Sequence, residues 1–334
     1  MRVSVVIVNY CSARLVLDCL ASLASERHDL DDLDVVVVEN VSPDDSFAVL
    51  DEGVKAAGWR DWVTLRAMPV NGGFSYGVNA GVAAGLASDA PPDAFWLLNP
   101  DTVVRPGAAR ALVDALEEDR EVGVVGSRLE DVDGTAQHSR FRFPSILSEL
   151  EVGSRLGLVG RLIGDRATCP PISDEAHDID WIAGASMLVR REVFDEVGMF
   201  DERFFLYFEE VDFLRRSARA GFRTRYVPAS RVVHFVGQST GVTARGARPG
   251  RTPAYWFGSR KLYFKIHHSG CYKLVADVLF VAGRLVYHLL RVLRRRPDTE
   301  PPSFLRDFVR FNWLGGATAR PPGTTPTVVN SWRP

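Results

Sequence analysis

Val3-Ser-Val-Val-Ile-Val-Asn-Tyr10 is a short, continuous apolar run, rich in β-branched residues and closed by two polar ones. Such a run reads as a strand buried on both faces, as in a parallel sheet. Helical spacing follows: Ser12 suits an N-cap, and Leu15, Val16, Cys19, Leu20 and Leu23 recur on one face. The alternation then repeats. Val35-Val-Val-Val38 is a second buried strand, ending in Glu39-Asn40 and a turn-rich segment over 41–45. Residues 62–68 form a weaker third strand, and Asn71-Gly-Gly-Phe74 leads into a small-residue helix over 75–87. Phe95-Trp-Leu-Leu98 is a fourth strand, closed by Asn99-Pro100-Asp101; Pro106 suits the first turn of a helix over 107–118, and 122–127 is a fifth strand. This β-α-β-α alternation predicts a doubly wound α/β sheet. In such sheets ligands bind beyond the carboxyl ends of the strands. That rule gathers Asn9, Tyr10, Glu39, Asn40 and Asp101 onto one rim.

Composition sets bounds and excludes classes. The 334 residues, 46% hydrophobic and 25% charged, suit one large or two modest domains. A net charge of −2 gives no basic field for nucleic acid. No GxGxxG follows the first strand, and no Walker A motif is present. The four cysteines show no metal-site spacing and read as reduced thiols in a cytosolic protein. The first eight residues lack an h-region of adequate length and a cleavage site.

A second stretch carries the chemistry. Phe205-Leu-Tyr-Phe-Glu-Glu-Val-Asp-Phe213 is an aromatic run that ends in three carboxylates and continues with a helical pattern up to Gly221. Acids favour a first helical turn for electrostatic reasons alone. Here they adjoin bulky apolar residues. Around this stretch, residues 150–178 look like a flexible segment, 181–189 like a strand, 191–197 like a helix, and 224–227 and 231–235 like two short strands about a turn. Residues 255–296 are helical and increasingly apolar. Asp277, Arg284 and His288 interrupt the apolar pattern, and Arg291, Arg294, Arg295 and Arg296 end it. Such a helix either lies on an anionic membrane surface or packs on the catalytic domain or on the second subunit of a homodimer. The tail from residue 297 is rich in Pro, Gly and Thr and is expected to be loosely ordered apart from 304–314. Four regions result: 1–128, 129–260, 261–296 and 297–334.

Singly, each rim residue has an ordinary structural reading as turn chemistry. Asp101 at a strand end could meet a metal-bound diphosphate, because Mg²⁺ and Mn²⁺ bridge carboxylates and phosphates. Mn²⁺ would accept His234, although a lone histidine after a strand is more often structural. A carboxylate at Glu209 or Glu210 could take the proton of an attacking hydroxyl, with a helix N-terminus holding it ionised.

Taken in order, Val5-Val-Ile-Val-Asn-Tyr10, Glu39-Asn40, Asn71-Gly-Gly-Phe74, Leu97-Leu-Asn-Pro-Asp101, Trp181-Ile-Ala-Gly-Ala185, Phe208-Glu-Glu-Val-Asp212 and His234-Phe-Val-Gly-Gln-Ser239 resemble the family 2 inverting glycosyltransferases of GT-A fold, nearest the bacterial rhamnosyltransferase-like branch. The resemblance covers about residues 1–265 and implies a set of roles. Residues 1–128 would bind the nucleotide sugar and 129–260 the acceptor. Val8, Asn9, Tyr10, Glu39 and Asn40 would hold the nucleoside; Gly73, Phe74, Asn79 and Asn99 would border the ribose and diphosphate. Asp101 and His234 would hold Mg²⁺ or Mn²⁺. Trp181 and Gly184 would wall the acceptor side, with Asp212 beside them bracing the helix, and Glu210 would be the general base with Glu209 in support. Three positions depart from the family pattern: Asn99, Glu39 and Glu210 each stand where Asp is usual. The implied donor is a dTDP- or UDP-sugar, dTDP-L-rhamnose first, and the implied acceptor a lipid-linked or polymeric glycan at the inner face of the cell membrane. A soluble natural-product acceptor is the second reading, and a non-catalytic nucleotide-sugar-binding protein the third.

Overall fold

The apolar runs become strands because both of their faces are covered. In the computed structural model, which describes residues 1–27, 30, 32–235, 250–316, 319 and 321, β1 (Val3–Asn9), β2 (Leu33–Glu39), β3 (Val63–Ala67) and β4 (Ala94–Leu98) pair in parallel, and every residue of β1 and β4 is buried. On one face Val5 and Ile7 pack with α1 (Ala13–Glu26), α2 (Ser46–Ala56) and α4 (Ala108–Glu118). On the other face Val6 and Val8 meet α3 (Phe74–Leu86). The small residues of α3 allow that approach. A Cβ on Gly77 would lie 2.6 Å from Val8, and one on Gly81 2.3 Å from Val6.

The sheet continues beyond β4 through strands of both directions. These are β5 (Thr102–Val104), β6 (Val122–Glu130), β8 (His177–Ile179), β10 (Ser186–Arg190) and β11 (Arg223–His234), while β7 (Arg140–Phe141) and β9 (Trp181–Ile182) form a separate ribbon. The order is β3-β2-β1-β4-β10-β6-β11-β5, with β8 paired to β11. The sheet is thus mostly parallel and doubly wound, with β10 lying antiparallel between β4 and β6. Behind it, α7 (Arg191–Val197) and α8 (Glu209–Arg219) join the α3 face.

Several local expectations change. Ser12 stands at the start of α1 without capping it; its hydroxyl donates to the Tyr10 carbonyl. The run 181–189 is two strands rather than one, broken at 183–185. The pair expected over 224–235 is one strand, because a bulge near 227–231 keeps both parts on β6. Within 150–178 the chain forms helix: α5 (Ile146–Ser154), capped by Ser145, and α6 (Gly157–Ile163). The four cysteines are free thiols.

The C-terminal part holds α9 (Ala254–His267), α10 (Gly270–Leu293) and α11 (Phe304–Val309), the last running into a π-helical turn over 310–314. Asp277 and Arg284 do not interrupt an outer face: both are turned inward and fully buried. Arg260 of α9 reaches Glu149 of α5 and Asp277 of α10 at 2.6 Å each, and Lys273 pairs with the same Asp277. Burial pushes the Glu149 carboxyl above its ordinary range, against the pull of Arg260. Replacing Asp277 by Ala leaves two buried cations without their shared carboxylate. The expected cost is about 3–5 kcal/mol, read as a lower midpoint in urea unfolding.

Candidate active site

The ends of β1, β2 and β4 and the turn before α3 form a rim whose polar groups first organise the rim itself. Asn9, buried, accepts from the Ser12 N–H at its Oδ1 and donates to Ser42 Oγ. Glu39 accepts from the N–H groups of Val41 and Ser42 at 3.0 and 2.8 Å, which holds Val41 in a left-handed conformation. Asn40 donates to Asn71 and to the Gly73 carbonyl and accepts from the Gly72 N–H. Ser42 and Asn71 are therefore rim organisers that motif reading passed over. Turn chemistry over 41–45 and the Asn-Gly-Gly triplet were the signals for them. Tyr10, 42% exposed, and Val41, 41% exposed, present apolar surface to solvent at this rim. Val8 faces α3, so only its backbone borders the rim.

The rim is tied to the carboxylate stretch. Gly73 has φ +85°, and a Cβ there would lie 2.3 Å from the Phe205 carbonyl oxygen. That oxygen accepts the Phe74 N–H at 2.7 Å. Asn79, expected beside the diphosphate, turns its side chain to protein partners. Its amide is used up on the loop before α8: it donates to the Phe200 carbonyl and to Glu202, and accepts from the Phe200 N–H. From below, Ser259 of α9 donates to the Leu206 carbonyl. The loop needs these ties because Tyr207 and Phe208 both sit at positive φ, 71° and 68°, a costly conformation for bulky residues.

That strained turn presents Glu209 and Glu210 as the first residues of α8. Glu209 is buried, and the Oε2 atoms of both residues lack a hydrogen-bond partner among the described residues. Burial raises the Glu209 carboxyl well above its usual range, and the neighbouring Glu210 adds to the rise. Burial also pushes Glu210 up to about 7, against the helix-start N–H groups that pull it down. The expected effect of the helix N-terminus is thus outweighed: desolvation penalises the charged form more than the N–H groups favour it. Asp212, 1% exposed, is held by Arg216 and by His267 Nε2 at 2.7 Å. It braces α8 against α9 and offers an acceptor no surface.

The break at 183–185 sets Gly184 against the carboxylates. A Cβ built on Gly184 would lie 3.7 Å from the Glu210 Cβ. Trp181 donates its indole N–H to the Arg142 carbonyl and stacks on Phe141 at 4.3 Å, a partner no motif indicated. The Asn99 N–H donates to the Ala185 carbonyl, so the Asn99–Asp101 turn and the 183–185 turn are joined. Antiparallel pairing of β5 with β11 sets His234 opposite Thr102. His234 Nε2 then lies 3.6 Å from Asp101 Oδ1, with Asp101 buried and the Phe235 N–H on its carbonyl. This oxygen-and-nitrogen pair fits a hard divalent ion that takes its remaining ligands from phosphate and water. No group of three or more His, Cys, Asp or Glu residues arranged to hold a metal ion occurs among the described residues. Residues 236–239 of the last motif lie outside the described residues.

Comparison with known proteins agrees with this geometry. Residues 1–251 match the family described as Glycosyltransferase like family 2. The chain is 30% identical over 269 residues to the N-acetylglucosaminyl-diphospho-decaprenol L-rhamnosyltransferase of Mycobacterium tuberculosis, covering 77% of each chain. It is 28% identical over 173 residues to rhamnosyltransferase WbbL of Escherichia coli K12, covering 50% of this chain and 63% of that protein. Among solved structures it shares the fold of the mannosyltransferase PcManGT from Pyrobaculum calidifontis, in complex with GDP-Man and Mn²⁺ (TM-score 0.55, 15% identity, 88% of this chain and 75% of that one). The same holds for GalNAc-T7 with UDP, GalNAc and Mn²⁺ (TM-score 0.53, 17% identity, 92% and 54%). A GT-A sheet whose rim is hydrogen-bonded to the loop before a carboxylate-bearing helix start, over a sequence matched from residue 1 to 251, means that the chain belongs to glycosyltransferase family 2.

Proposed function

We propose that the chain is an inverting hexosyltransferase that moves a sugar from a dTDP- or UDP-sugar, dTDP-L-rhamnose first, to a hydroxyl of a lipid-linked or polymeric glycan. The observation that carries the reading is Glu210: a carboxylate raised to about 7, at a helix start, against the small Gly184 and opposite the nucleotide rim. Two relatives are rhamnosyltransferases, one of them named for a diphospho-decaprenol acceptor, which supports the sugar and the acceptor class.

The chemistry is a single displacement. The acceptor oxygen attacks the anomeric carbon from the side opposite the nucleotide. The bond to the diphosphate oxygen breaks, and the hydroxyl proton passes to Glu210. A base near 7 is matched to that task, because a large share of it is ionised at neutral pH and it is still basic enough to take the proton. Burial and the neighbouring Glu210 both raise the Glu209 carboxyl above its usual range, so Glu209 supports the base rather than replacing it. Tyr10 and the backbone at Val8 and Asn9 receive the nucleoside, Glu39 and Asn40 hold the loops around it, and Gly73 and Phe74 close the ribose side. Trp181 and Gly184 wall the acceptor. A Mg²⁺ or Mn²⁺ ion held by Asp101 and His234 and completed by donor phosphate oxygens would offset charge on the departing diphosphate.

Glu210→Gln is expected to lower kcat by about 10²–10⁴-fold while the donor still raises the melting temperature as in wild type. Near-wild-type turnover would remove Glu210 as the base. Asp101→Asn should weaken the Mn²⁺-dependent part of the thermal shift given by dTDP-rhamnose, and equal shifts would remove Asp101 from the metal site. Turnover should rise with pH through about 7, following Glu210. The stability sign is opposite. The folded Glu210 carboxyl binds its proton more tightly than the unfolded one, whose ordinary value is 4.5. Its contribution is therefore complete below 4.5 and lost as pH rises through about 7. Glu210→Gln should then melt roughly 2–4 °C above wild type at alkaline pH, with the gap closing in acid.

A further inference from the structure

The helix α10 is built inside out. Its charged residues face the protein: Lys273 and Asp277 join Arg260 and Glu149, Arg284 pairs with Glu300, His288 Nε2 lies 3.0 Å from Glu300, and Arg291 lies 2.6 Å from Asp298. Its outward face is apolar. Leu274, Val278, Leu285, Leu289, Val292 and Leu293 are all exposed, Leu293 at 69%. Their spacing keeps them on one side of the helix. With 24 residues the helix is about 36 Å long, and the stripe runs from one end to the other. A helix in water turns its apolar face inward, and an apolar patch of this extent on a soluble surface marks an interaction site.

Two neighbours extend the feature. Arg155, just beyond α5, stacks over Tyr287 of α10. The next helix, α6, buries none of its residues and exposes Leu158 and Leu162, the latter at 78%. At the far end of α10, Arg294, Arg295 and Arg296 are exposed, and their side chains form no ion pair among the described residues. The nearby acids, Asp298 and Glu300, already serve the inward-facing Arg291, Arg284 and His288.

We propose that this face lies on an anionic lipid bilayer, with α10 in the plane of the membrane, its apolar stripe at the boundary of headgroups and acyl chains, and the three terminal arginines on anionic headgroups. Among the described residues no helix is long and apolar enough to cross a membrane, so α10 lies on the bilayer rather than through it. A second copy of the chain fits less well. An antiparallel pair would set the arginine cluster against the first turn of the partner's α10, which carries no acid, and a parallel pair would bring the two clusters together. The membrane supplies both the apolar medium and the negative charge. The placement also deepens the transferase reading, on whose lipid-linked acceptor it rests for its purpose. The helix α9 joins α10 to the catalytic loop through the Ser259 bond to Leu206 and the contact of Trp256 with Phe208. A glycan carried on a membrane lipid would thus meet Glu210 from the layer that α10 anchors.

The test is co-sedimentation of the full chain with phosphatidylcholine vesicles, with and without phosphatidylglycerol, in the absence of donor and acceptor. Its failure is then separate from any failure of the transferase chemistry, which transfer to a detergent-solubilised acceptor measures. Wild type should sediment with the anionic vesicles and be released by salt. The variant Leu285→Ser/Leu289→Ser/Val292→Ser should lose at least about tenfold in partition to either vesicle. The variant Arg294→Gln/Arg295→Gln/Arg296→Gln should lose about tenfold on anionic vesicles only, together with the salt dependence. All of these side chains are exposed, so the melting temperature should hold in both variants, and the arginine set stands as an independent test should the apolar set fold poorly. Three outcomes overturn the proposal: wild type that does not sediment with anionic vesicles, variants that partition like wild type, or an apolar variant that turns a solution dimer into a monomer without changing vesicle binding.

Discussion

The hydrogen bond from the Phe74 N–H to the Phe205 carbonyl, at 2.7 Å over a left-handed Gly73, joins the two sides of the site. On one side stands the rim of strand ends, on the other the loop that starts α8. The loop holds two bulky residues at positive φ, and such strain survives only where the surroundings over-determine it. Gly73 and Phe74 grip it from the sheet side, Asn79 takes its Phe200 end, and Ser259 takes Leu206 from the helical extension. Released from any of these, the turn would relax, and Glu209 and Glu210 would no longer emerge facing the rim.

Burial at that helix start then decides the chemistry. The positive end of α8 stabilises a carboxylate, and in water it would lower its proton affinity. At Glu209 and Glu210 burial removes that water, so the cost of desolvation exceeds what the N–H groups return. The outcome is two neighbouring carboxyls that both hold their protons more tightly than in water, Glu210 up to about 7. Asp212, two residues on, goes the other way because Arg216 and His267 stand against it; its carboxyl is held below its usual range despite burial. Three acids in one helical turn thus divide into a structural brace and a pair suited to proton transfer, by partners alone.

The same division of inside and outside governs the C-terminal helices. Arg260, Glu149, Asp277 and Lys273 make a buried ionic joint among α5, α9 and α10, which draws the charged side of α10 inward and leaves its apolar side to the exterior. A helix that looked apolar with charged interruptions is two-sided, with the sides reversed from the ordinary arrangement. The joint also fixes α9, whose Ser259 holds the Leu206 carbonyl of the loop before α8.

Sequence alone determined the local alphabet of this protein. Continuous β-branched runs can only be satisfied as strands covered on both faces, so the first half of the sheet and its carboxyl-end rim were legible, as was the acidic helix start. Tertiary structure decided what each polar residue is free to do. Asn79, Asn40 and Glu39 look like ligand contacts in a motif, yet their hydrogen-bonding groups hold the chain: Asn79 and Asn40 tie segments distant in sequence, and Glu39 ties the turn that follows it. The strand β5 is three residues long and carries no pattern of its own; only its pairing with β11, some 130 residues later, sets His234 beside Asp101. The break that lays Gly184 on Glu210 follows from β9 and β10 joining different sheets. The direction of the α10 faces follows from partners on α5 and α9. Periodicity reports which residues share a side; only the assembled chain says which side meets protein and which meets the outside.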